Sequence, residues 1–166
     1  MKNTQSLKYY GATLLIIVIL ASFISIIEIY SCWSEQLNSI SQFKSIDLEN
    51  YTYIDKIITT LYLILDILLL IPAIWFFKIC NKIAKNDYYN NEIISYFKNI
   101  GTILFLLSII PLVLIRFLDT SDYFIKPEYW FNIHPFFYMF IASLFETFAF
   151  ILKEAKKQKE ENELTI

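Results

Sequence analysis

The chain has 166 residues, 57% of them hydrophobic and 18% charged, with a formal net charge of −2, two cysteines and one histidine. Soluble domains are less apolar, and disordered, collagenous and disulfide-stapled chains depart further still. Near-neutral charge without a block of lysine or arginine alone argues against direct nucleic-acid contact. The apolar excess gathers in four runs and predicts an integral membrane protein.

The first run, 11–30, has Glu28 as its only charge, and about 20 helical residues cross a hydrocarbon core of roughly 30 Å. It exceeds the apolar region of a signal peptide, and no small-residue cleavage site follows. Ile29-Tyr30-Ser31-Cys32 has the outline of a lipobox, but a tyrosine just before the small residue argues against lipidation of Cys32. In the connection 31–56, Leu37, Ile40, Phe43 and Ile46 recur every third residue, which suits either a short surface helix or an irregular loop.

The second run, 57–79, is interrupted by Asp66 and, at its end, by Lys78. Pro72 within it removes one backbone bond and predicts a kink, as Pro111 does in the third run, 100–118. Between these runs Lys85-Asn86-Asp87-Tyr88-Tyr89-Asn90 supplies turn chemistry, and Asn90 or Asn91 before Glu92 predicts a helix that starts ahead of the lipid. The third run carries Arg116 near its end; the fourth, 131–152, contains His134 and Glu146. His134 has no histidine companion or close cysteine pair, so neither metal, cofactor nor catalytic role is expected of it. In the tail, 153–166, Lys156 and Glu160, Lys157 and Glu161, and Lys159 and Glu163 stand four apart, which predicts that the last helix continues beyond lipid.

Lipid satisfies no backbone donor or acceptor, and the alternation of a barrel strand is absent, so the runs predict an all-α bundle of four transmembrane helices in one domain, 1–166. Ten of the 14 basic residues lie in the N-terminal segment, the second connection and the tail. Positive residues resist translocation, so both termini are expected in the cytoplasm and the chain in the bacterial inner membrane. Trp33 and Trp130 then fall at the outer boundary and Trp75 at the inner one, where amphipathic rings prefer to sit. Cys32 and Cys80 lie a membrane thickness apart and cannot pair within one chain.

Ionisable residues within membrane runs are costly and therefore candidates for function. Counted at 1.5 Å per residue from each run's centre, Glu28 and Arg116 both lie about 10 Å toward the outer face, Asp66 about 3 Å outward and Glu146 about 5 Å inward. Glu28 and Arg116 are the best-matched pair, with an orienting ion pair as their expected role. A proton or ion path through Asp66 and Glu146 is the alternative, and its depth difference of about 8 Å requires water or another side chain between them. Ser22, Ser25 and Glu28 mark one face of the first helix, and Ser143, Glu146 and Thr147 one face of the fourth; helix packing is the role expected of both.

The stretch IPAIWFFKICNKIAKNDYYNNEIISYFKNIGTILFLLSII and the ending Glu160-Glu161-Asn162-Glu163-Leu164-Thr165-Ile166 resemble the domain-of-unknown-function 2975 family, the YoaS-like small bacterial membrane proteins. The resemblance covers about the last two-thirds of the chain and includes Lys98 and Gly101. One departure is Asn86-Asp87 where the family usually has a glycine in the cytoplasmic turn. The family has no established activity, so no catalytic residue is transferred. Its members are often encoded beside a small helix-turn-helix regulator of the Cro type, which implies a regulatory or accessory role. Asn162, Glu163, Leu164, Thr165 and Ile166 are the expected docking residues for a cytoplasmic protein, since an apolar end beside a free carboxylate can be captured by a backbone nest. The expected partners are therefore the lipid bilayer and that protein, with a second copy of the chain left open. A non-enzymatic accessory is the leading reading, and a small transporter or channel component using the intramembrane carboxylates is the alternative.

Overall fold

The computed structural model describes residues 2–33, 53–118 and 135–164, with the side chains of 2–4, 31–32, 54–56, 58–59, 62 and 111–118 outside the described set. Five helices follow in order: α1 Lys2–Trp33, α2 Tyr53–Leu68, α3 Leu70–Ile83, α4 Asn91–Leu118 and α5 Pro135–Leu164. Among the described residues four segments are long and apolar enough to cross a membrane: Gln5–Tyr30, Leu63–Ile83, Asn91–Ile110 and Pro135–Leu164. All regular structure among these residues is helical. Trp130, His134, Thr165, Ile166 and the spacing in 31–56 lie outside the described residues.

The helices outrun the apolar runs. At 1.5 Å per residue, α1 is about 48 Å long and α5 about 45 Å, against roughly 30 Å of hydrocarbon. Hydrogen-bonded backbone does not stop where lipid stops, and polar stretches such as Lys2–Tyr10 and Lys153–Leu164 contain no proline that would end it.

The second run is two helices. Pro72 has no N–H for the carbonyl of Leu68, and its ring crowds that turn. The backbone tightens instead: Leu69 N–H donates to the Asp66 carbonyl at 3.2 Å, three residues back, before Ala73 N–H resumes the four-residue pattern to Leu69 at 3.2 Å. Pro111 leaves α4 unbroken across Asn91–Leu118.

α3 and α4 form a hairpin. Asn86 N–H donates to the Ile83 carbonyl at 2.9 Å and Asp87 N–H to the Lys82 carbonyl at 3.2 Å, a Schellman closure with Asn86 in the left-handed region at φ 63°. Asparagine thus takes the backbone conformation that glycine usually supplies. Asn90 caps α4, its Oδ1 accepting from Glu92 N–H at 2.8 Å.

α1 packs on both α3 and α2, α3 also packs on α4, and α4 packs most extensively on α5, whereas α2 and α3 barely touch. Ile79, Ile93, Ile100, Leu104 and Ala142 form a buried core under Trp75, Phe76, Phe97, Phe145 and Leu152. Large apolar side chains cover the outside as well: Phe23 is 62% exposed, Ile17 57%, Phe140 59% and Phe150 64%. Such faces suit hydrocarbon and would be untenable in water.

Candidate functional site

The polar face of α1 is turned inward. Ser22, Ser25 and Glu28, three residues apart, are all buried, Glu28 to 6% exposure. The Ser22 hydroxyl donates to the Val18 carbonyl at 2.8 Å and the Ser25 hydroxyl to the Ala21 carbonyl at 3.2 Å. Each serine therefore satisfies itself within α1 and presents a small surface that admits a neighbouring helix. At the other end of α1, a Cβ on Gly11 would come within 2.9 Å of Cys80 Cβ and 3.0 Å of its Sγ, so only glycine allows α1 this close to α3.

Asp66 stands two residues before the end of α2, on the last turn before the Pro72 break. It is within electrostatic reach of Glu28 on α1 and of Tyr138 on α5. The structure thus brings two of the four intramembrane polar residues together. It adds Tyr138, which selection by charge passes over: one phenol among 12 tyrosines carries no signal in the sequence. The side chain of Arg116 lies outside the described residues, and with it the Glu28–Arg116 pairing.

Glu146 is apart from this group, at the crossing of α4 and α5. A Cβ on Gly101 would lie 2.6 Å from Glu146 Cγ and 3.0 Å from the Ala142 carbonyl, so the stem of Glu146 rests on the glycine. The residue as a whole is exposed. Of the expected packing face of Ser143, Glu146 and Thr147, Glu146 alone lies at the helix crossing, and the expectation is corrected for the other two. Ser143 and Thr147 are exposed, and their hydroxyls donate to the Phe140 carbonyl at 2.7 Å and the Ser143 carbonyl at 2.8 Å. Bonded to their own helix, they need no partner helix; Ala142, Phe145 and Ala149 pack or are buried instead.

A second constellation lies where α5 runs past the hairpin. Lys156 Nζ donates to Asn91 Oδ1 at 2.6 Å, and Lys159 Nζ lies 5.4 Å from the centre of the Tyr89 ring. The four-residue pairs of the tail also form: Lys156–Glu160 at 3.6 Å, Lys157–Glu161 at 3.8 Å and Lys159–Glu163 at 3.7 Å. Each such exposed pair contributes only a few tenths of a kcal/mol, so the contacts to the hairpin set the direction of the extension. Leu164, at its tip, is 87% exposed.

Among the described residues no three of His, Cys, Asp and Glu gather as metal ligands. The described residues define a helical protein with four membrane-length segments, a face between α1 and α2 where Glu28 and Asp66 lie within electrostatic reach, and a helical extension docked on a hairpin. The family model described as "Protein of unknown function (DUF2975)" matches residues 74–166, more than half of the chain, and the chain belongs to that family. The matched segment contains the hairpin, Glu146 and the α5 extension and leaves out Glu28 and Asp66. No curated protein and no solved structure matches the chain.

Proposed function

We propose that this protein is a non-enzymatic, four-span accessory of the bacterial inner membrane that holds a cytoplasmic protein on a platform made by the α3–α4 hairpin and the extension of α5. The observation that carries this reading is the fixed extension: α5 continues unbroken to Leu164 and is tied to the hairpin through Lys156 to Asn91 and Lys159 to Tyr89. A preformed surface loses less conformational freedom on binding than a loose tail. Excess positive charge on the N-terminal segment, the hairpin and the tail supports placing both termini in the cytoplasm. The family resemblance supplies a candidate partner, a small helix-turn-helix regulator of the Cro type. Crosslinking in native membranes, with the chain intact and with residues 162–166 deleted, tests the proposal. A protein captured by the intact chain and lost on deletion supports it; capture that ignores the deletion contradicts it.

The mutual reach of Glu28 and Asp66 favours a second reading, a transporter or channel component in which this pair carries a proton or cation. Flux in proteoliposomes that Asp66→Asn abolishes would support transport; flux equal to that of empty vesicles would contradict it.

A further inference from the structure

α3 and α4 face each other near the hairpin across two rungs. Lys82 and Glu92 form the rung nearer the turn, an ion pair of 2.5 Å. One helical turn away from the hairpin on both helices stand Lys78 and Tyr96, with Lys78 Nζ 5.6 Å from the ring centre. The Tyr96 ring stacks on Trp75 at 6.4 Å between centroids. The first rung is neutral. The second holds a full positive charge against a ring that carries none, and Lys78 is exposed with no acidic partner among the described residues.

The position of that unmatched charge limits what can answer it. Lys78 is about 6 Å deeper along α3 than the ion-paired Lys82. Deeper still on the same stripe of α3 are Ile74 and Ile71, four and seven residues before Lys78 and 41% and 38% exposed. A cation therefore ends an outward-facing apolar stripe, with an indole and a phenol beside it, rings that prefer the boundary between headgroup and acyl chain. An occupant needs an anionic head and a hydrocarbon tail.

We propose that the α3–α4 groove holds one anionic phospholipid of the leaflet bordering the hairpin. Lys78 binds its phosphate, Tyr96 and Trp75 flank the headgroup, and Ile74 and Ile71 receive an acyl chain. The inference needs only that the helices span a membrane and does not depend on a protein partner.

The test uses the full chain reconstituted in vesicles of equal parts phosphatidylglycerol and phosphatidylcholine, extracted gently, with retained lipid read by native mass spectrometry. The intact chain should retain phosphatidylglycerol over phosphatidylcholine by about fivefold, the effect of one lysine at an anionic surface. Lys78→Gln should abolish the preference and Lys78→Arg keep it. Tyr96→Leu, which leaves the charge unchanged, should weaken it. Lys98→Gln is the control: it removes an exposed charge two residues along α4 from Tyr96 and should leave the preference intact. Equal losses in Lys78→Gln and Lys98→Gln would show diffuse surface charge and overturn the site. A preference untouched by Lys78→Gln, or bound lipid displaced by inorganic phosphate, would overturn it as well.

Discussion

Gly101 and Gly11 are the two glycines of the chain, and each stands where two helices come closest. At Gly101 the atoms in the way include the Ala142 carbonyl, which cannot swing aside as a side-chain tip can. Gly101→Ala gains helix propensity of about 1 kcal/mol but forces α4 and α5 apart, and overpacking typically costs about 1–3 kcal/mol. A lower thermal midpoint in detergent is expected for Gly101→Ala, and an unchanged or higher midpoint would refute the close crossing. Asn86 matters chiefly for its backbone, since the one bond its side chain accepts, from the Tyr88 hydroxyl at 2.9 Å, is exposed. Asn86→Gly should leave stability nearly unchanged, whereas Asn86→Val should cost about 1–2 kcal/mol because a β-branched residue resists positive φ. Denaturation of the two variants side by side checks the pair.

The elements show how one proline breaks a helix where another does not. Around Pro72 the backbone shifts to a three-residue bond at Leu69, while α4 passes through Pro111 unbroken. Pro72→Ala restores a donor to the Leu68 carbonyl and should fuse α2 with α3, seen as slower amide exchange at Leu69 and Ala73. Exchange unchanged at those amides would mean that packing, not proline, sets the break. The α5 extension depends on two contacts with the hairpin. Removing both with Asn91→Ala and Tyr89→Ala should speed amide exchange over 153–164 about tenfold, corresponding to about 1.4 kcal/mol. No acceleration would show that the extension stands on its own helix propensity.

For the whole molecule, what could be read from the sequence followed from local physics. Runs of apolar residues long enough for lipid predicted four membrane-length helices, and four-residue charge spacing predicted a helical tail to α5. Asn90 was legible as a cap because its side chain acts on its own next turn. Meetings between helices were less accessible. Depth counting alone does not say which way a helix is turned, and it passed over the reach between Glu28 and Asp66; the Arg116 side chain lies outside the described residues. Nor could spacing separate Ser22 and Ser25, buried against neighbours, from Ser143 and Thr147, which face outward. All four hydroxyls bond their own helix and impose no direction on it. The rung of Lys78 and Tyr96 was invisible because a lysine and a tyrosine 18 positions apart meet only once the hairpin closes.

In the proposed topology, four spans place the N-terminus, the hairpin and the α5 extension on one face, in the cytoplasm. Single cysteines at Gln5, Tyr88 and Gln158, in a chain carrying Cys32→Ser and Cys80→Ala, test it with a membrane-impermeant thiol reagent applied to right-side-out vesicles. All three should stay unlabelled until the vesicles are opened and then react together. Labelling of any one of them in sealed vesicles would contradict that topology.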